Sequence, residues 1–136
     1  MRLRIKTSGF SLTPGLETLA QEKLLKPLVR RMGKHLQPES FIDVELAKIT
    51  QHHEEGKIWK CEVNVPLPHD KRTIYLEVIE ENIEAAIDVA KNELERQIGE
   101  YKEKRFAKFL RSARAAKDRM RIATLALGAK NWFRKK

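Results

Sequence analysis

Three short runs in the middle of the chain alternate apolar with polar residues, and together they dictate a sheet with one face that must be covered. Ile42, Val44 and Leu46 alternate with Asp43 and Glu45; Trp59, Cys61, Val63 and Val65 alternate with Lys60, Glu62 and Asn64; Ile74, Leu76 and Val78 form a third run. A period of two puts each apolar set on one side of its strand. The polar loop Gln51 to Gly56 reads as the connection of a hairpin, and Pro66, Pro68 and the turn Pro68 to Lys71 separate the second strand from the third. A meander with one apolar face needs a second layer.

Two stretches of helical period supply it. From Asn82 to Arg105, the residues Ile83, Ile87, Ala90, Leu94, Ile98 and Tyr101 recur at spacings of three and four and make one apolar stripe, with Arg96, Lys102 and Lys104 off it. Asn82 is placed to cap this helix, and Lys102, Lys104 and Arg105 gather at its far end, where the helix dipole favours cations. The earlier stretch opens on Thr13 and Pro14, a hydroxyl cap followed by a proline suited to the first turn, and continues through Leu16, Leu19, Ala20, Leu24, Leu28 and Met32. Pro27 is expected to kink or divide it, and Gly33 to end it. Residues 2 to 6, with Leu3 and Ile5 alternating with Arg2, Arg4 and Lys6, read as one more half-buried strand. The order is therefore strand, helix, three strands, helix, an α+β arrangement.

Beyond Arg105 the helical spacing persists but its phase changes. At about 100° per residue, Phe106, Phe109, Leu110, Ala113 and Met120 centre roughly a quarter turn from the stripe that ends at Tyr101. Either the helix breaks near Arg105, or its extension projects and offers Phe106, Phe109 and Leu110 to a partner or to the flank of the domain. The last dozen residues, with Trp132 and Phe133 among cations, are expected to be disordered without a ligand. The chain is thus divided into a domain over residues 1–105 and a basic, partly helical extension over 106–136.

Charge points to the partner. The net charge of the 136 residues is +9, yet residues 101–136 hold 13 Lys and Arg against 2 Asp and Glu, while residues 1–100 hold 15 against 17. A local excess of cations gains affinity by releasing counterions from a phosphate backbone, which favours nucleic acid or an anionic surface over a small-molecule substrate. With 41% hydrophobic residues and no apolar run of membrane-spanning length, the chain reads as soluble. The alternating start lacks a signal-peptide pattern and Cys61 is the single cysteine, so a cytoplasmic location is expected.

Catalytic and metal chemistry find little support. His52, His53, Glu54 and Glu55 are adjacent residues of one loop, which rarely converge on an ion, and read as a solvated turn. Cys61 and Trp59 fall on the apolar side of their strand, and His35 and His69 are isolated. No phosphate-binding glycine loop and no nucleophile with a base arrangement is present. No enzyme activity and no cofactor are expected.

The segments LTPGLETLAQEKLLKPL at residues 12–28 and IEAAIDVAKNELERQIGEYKEK at residues 83–104, set in that element order, resemble the ribosome hibernation-promoting factor family, also called ribosome-associated inhibitor or sigma-54 modulation proteins. The resemblance covers about residues 1 to 105. It implies a four-stranded sheet with two helices packed on one face, similar to a double-stranded-RNA-binding domain. It also implies a non-enzymatic factor that binds the small ribosomal subunit and its rRNA, blocks the tRNA and mRNA positions of idle ribosomes, and is monomeric off the ribosome. The family's basic positions on the last helix correspond to Arg96, Lys102 and Lys104, with Lys23, Lys26 and Arg30 as looser matches on the first. Glu93 and Glu100 stand where lysine is frequent and Glu84 where an aromatic residue is common. The tail cations Arg105, Lys108, Arg111, Arg114, Lys117, Arg119 and Arg121 are expected to restore the charge so lost. The alternatives are a general double-stranded-RNA-binding module acting off the ribosome and a membrane-surface protein using Phe106 to Met120. Cations on nearly every side of that stretch disfavour the membrane.

Overall fold

A computed structural model describes residues 1–36, 38–50, 52, 55–67 and 73–134, without the side chains of 35 and 123–134. The chain forms β1 (Arg2–Ser8), α1 (Pro14–Ala20), a π-helical turn (Gln21–Leu25), α2 (Lys26–Met32), a 3₁₀ turn (Gly33–His35), β2 (Phe41–Lys48), β3 (Trp59–Val65), β4 (Ile74–Glu80) and α3 (Ile83–Arg134). It divides into two compact units, Met1–Gly99 and Glu100–Lys136.

In the first unit the strands lie in the order β1-β2-β3-β4. β1 runs parallel to β2, pairing Leu3 with Ile42 and Ile5 with Val44, and the helical segment between them is the crossover that a parallel pair requires. The pairs β2–β3 and β3–β4 are antiparallel, so Leu46, Cys61 and Val78 share one row and Val44, Val63 and Leu76 the next. These residues are buried, as are Leu24, Leu28 and Met32 from the first helical segment and Ile87, Leu94 and Ile98 from α3. The expected meander and its two-helix cover are both present.

Local chemistry explains the helix ends. Thr13 has extended backbone angles and its Oγ1 accepts from the Leu16 N–H at 3.2 Å, while Asn82 Oδ1 accepts from the Ala85 N–H at 2.7 Å. Pro27 does not end the helical segment, which is divided into α1, the π turn and α2. The π turn before it inserts a wider coil, with the Lys26 N–H reaching back to the Gln21 carbonyl, so that a residue without an N–H enters α2 in its first turn. Leu24 and Leu28 remain fully buried on either side of the adjustment.

Two further expectations change. Trp59 is half-buried, its ring meeting Phe10 edge to face at 5.2 Å, because it starts β3 at the rim of the covered face. α3 has no break at Arg105 and remains helical to Arg134, which replaces the expected disorder of the last dozen residues through that point. An out-of-phase stripe constrains what a helix can bury, whereas helicity follows propensity, and the Ala-, Lys- and Arg-rich stretch after Gly99 meets no glycine until Gly128 and no proline. The turn Pro68 to Lys71, His53 and Glu54, and the side chains of Trp132 and Phe133 lie outside the described residues. His52 and Glu55 are exposed.

Cys61 gives a chemical readout of the covered face. It is fully buried, and burial pushes its thiol up to about 12, leaving a thiolate fraction of about one part in 10⁴ at pH 8. Iodoacetamide is expected to leave the native protein unmodified and to alkylate it promptly in denaturant. Rapid labelling without denaturant would show that the helices do not seal this face.

Candidate nucleic-acid interface

The two faces of the sheet in Met1–Gly99 differ in charge and in use. One carries the helices. The other, bare of helices among the described residues, aligns Glu45, Glu62 and Glu77 across three strands. Like charges directly opposite one another are unfavourable, and Lys60 relieves them with its ammonium 3.8 Å from Glu45 and 3.3 Å from Glu62. Desolvation works against the Lys60 charge, yet Glu62, Glu45 and Glu77 hold its pKa above the ordinary lysine value. The Tyr75 hydroxyl, which donates to Glu77 at 3.3 Å, is pushed up to about 12, first by hydrogen bonding to Glu62 and then by desolvation and the negative charge of Glu62 and Glu77. At the β1 edge Arg4 pairs with Asp43 and stands over the Phe41 ring at 4.9 Å. A shallow cavity of about 330 Å³ on this face is lined by Arg4, Lys6, Asp43, Val44, Glu45, Glu62 and Asn64. Carboxylates at its centre make this face a poor match for a polyanion.

The helical layer bears the cations matched to the family, and most of them are already engaged. Lys23 meets Asp88 of α3 at 3.3 Å, and Lys26 meets Glu22 at 2.7 Å. Arg30 is exposed. Arg96 grips Glu93 through Nε at 3.0 Å and Nη2 at 2.6 Å, and Gln97 donates to the same carboxylate at 3.2 Å. Arg96 first, and Gln97 after it, hold the Glu93 carboxyl below the usual range. Glu93, where the resemblance leads one to expect lysine, is therefore the partner of Arg96. A cation held in this way must give up its carboxylate before it can contact phosphate, which lowers its contribution to binding.

The sequence places Arg31 near the disturbance at Pro27 but assigns it no role. Its Nη1 donates to the Glu95 carbonyl at 3.1 Å, tying α2 to α3. The signal was its position, seven residues after Leu24 and so about 20° from it on a regular helix, which puts a charged side chain within the apolar stripe.

The second unit is different. Lys104 lies 3.4 Å from Glu100, and Arg105 donates to the Tyr101 hydroxyl at 3.1 Å. Lys102 is half-buried, whereas Lys108, Arg111, Arg114, Lys117, Arg119 and Arg121 are exposed along one continuous helix. Residues 100–136 carry 13 Lys and Arg against 3 Asp and Glu, while residues 1–99 carry 15 against 16. The sequence-derived cations therefore fall into two sets: a dispersed, largely paired set on the helical layer and a dense, exposed set on distal α3. Among the described residues no group of His, Cys, Asp or Glu could hold a metal ion, and no helix is long and apolar enough to cross a membrane.

The chain is similar in fold to a ribosomal subunit interface protein from Coxiella burnetii, with a TM-score of 0.55 and 23% identity over 76% of this chain and 99% of that one. It is similar also to the N-terminal domain of Protein Y from Thermus thermophilus, with a TM-score of 0.54 and 22% identity over 74% of this chain and 99% of the other. A comparison with curated proteins found no match. The family described as Sigma 54 modulation protein / S30EA ribosomal protein matches residues 3–105, from β1 into α3. The chain belongs to this family of ribosome-associated, non-enzymatic proteins.

Proposed function

We propose that this protein is a cytoplasmic hibernation factor that binds small-subunit rRNA as a monomer and occupies the tRNA and mRNA positions of idle ribosomes. Family membership over residues 3–105 supports the ribosome as the target, as does similarity in fold to a protein named for the ribosomal subunit interface. The observation that carries the reading is the separation of charge. Residues 1–105 form the ribosome-binding domain, with shape and a few phosphate contacts from Lys23, Lys26, Arg30, Arg96, Lys102 and Lys104 fixing its position. Residues 106–136, together with Arg105, supply most of the electrostatic affinity through Lys108, Arg111, Arg114, Lys117, Arg119 and Arg121.

The test is sedimentation of a stationary-phase lysate through a sucrose gradient, followed by separation of subunits at low magnesium. The protein is expected with intact ribosomes and then with the small subunit. Recovery at the top of both gradients would overturn the reading, and retention on RNA duplexes added to the lysate in place of ribosomes would favour a general RNA-binding module.

A further inference from the structure

We infer that Phe106 and Phe109 of α3 form a base-stacking site for single-stranded RNA, a role that deepens the ribosome-binding reading and rests on it. Phe106 is 63% exposed and Phe109 64% exposed, within a segment whose every residue from Glu103 to Ile122 is exposed. They stand three residues apart, about 60° around the helix and about 4.5 Å along it, so both rings project from one side. Large aromatic surface left in water on a helix rich in cations calls for a ligand that is both flat and anionic.

The cations within the stripe select among possible occupants. Lys102 lies seven residues before Phe109, and Lys117 lies seven after Leu110, so each is only about 20° out of line with that residue. The side formed by Phe106, Phe109, Leu110 and Met120 therefore has an ammonium group at each end of its aromatic part. Inserted into lipid or packed against a partner helix, Lys117 would be desolvated in the middle of the apolar contact. On single-stranded RNA the same layout is favourable: the unpaired bases lie on the rings and the phosphates between them reach Lys102 and Lys117. Arg114 and Arg121 flank the stripe on one side. Duplex RNA would leave the rings unused, because its bases are already stacked on each other.

The experiment compares the full-length protein with Phe106→Ala/Phe109→Ala and Phe106→Tyr/Phe109→Tyr variants. Each is titrated with a short single-stranded RNA and with a duplex of the same length across a salt series. Alanine preserves the helix, which circular dichroism checks. The alanine pair is expected to weaken single-strand binding by roughly tenfold or more while leaving its dependence on salt unchanged, since every cation is retained. Duplex binding is expected to stay the same, and the tyrosine pair to restore single-strand binding. An equal loss on both RNAs, or no loss, would overturn the inference, as would recruitment to anionic phospholipid vesicles that the alanine pair abolishes. If wild-type protein fails to sediment with small subunits, the ribosome reading fails instead; if it sediments and the alanine pair still binds single strands normally, only the stacking site fails.

Discussion

Removing residues 106–136 is expected to cut affinity for the small subunit about a thousandfold at low salt and to flatten its salt dependence. The segment holds 10 Lys and Arg against one Asp, and what remains, residues 1–105, carries 18 cations and 18 anions. With roughly 0.7 to 0.9 ions released per phosphate contact, losing six contacts lowers the slope of log affinity against log salt by about 4 to 5. Full-length binding should therefore fall about a thousandfold between ~50 and ~200 mM salt, and binding of the truncated chain should change far less. Circular dichroism should show the remainder folded, because the buried hydrophobic residues among those described all lie at or before Ile98. Unchanged affinity and slope would reduce the tail to a solubilising appendage. Loss of the fold would mean that Phe106 and its neighbours are needed to complete the core.

Much of this was legible because it depends on local spacing. The alternation of Ile42, Val44 and Leu46 and of Cys61, Val63 and Val65 survives as a buried, paired face, and the caps at Thr13 and Asn82 form as their side-chain chemistry requires. What spacing could not give was the parallel pairing of β1 with β2, since two strands separated by a crossover carry no turn signal linking them. Nor could it give the response to Pro27, for a kink, a break and a π turn all accommodate a missing N–H, and the choice depends on keeping Leu24 and Leu28 buried.

The cations were legible as residues but not as a working set. Arg96, Lys23, Lys26 and Lys104 all have carboxylate partners, and for three of them the partner is three or four residues away on the same helix, a spacing that was open to reading. The Lys23 partner, Asp88, is distant in sequence and becomes a neighbour only when the first helical segment and α3 pack side by side. The outcome shifts weight from the family-matched positions to the exposed cations after Arg105. On the proposed reading, the bare sheet face is expected to point away from rRNA, because the row Glu45, Glu62, Glu77 would repel phosphate.

The second large effect should come from Leu94→Ala. Leu94 is fully buried in the middle of the α3 stripe, between Ala90 and Ile98, which are also fully buried. Alanine keeps the helix, so the cost is the lost transfer energy of the side chain plus the cavity left behind, about 2 to 5 kcal/mol. Against a total of roughly 5 to 15 kcal/mol for a domain of this size, that is a large fraction of stability. Tm should fall by about 10 to 25 °C, and the urea midpoint should drop with little change in the m-value. Alkylation of Cys61 should accelerate in parallel, because a residue sealed under the helices reacts only when they open. Ribosome binding measured below the new transition should keep its salt slope, since no exposed cation has been touched. A cost under about 1 kcal/mol would mean that the cavity collapses or that α3 contributes little to holding the sheet. If Tm falls but Cys61 labelling does not accelerate, the covered face stays closed without Leu94, and the core is held chiefly by the segment from Leu24 to Met32.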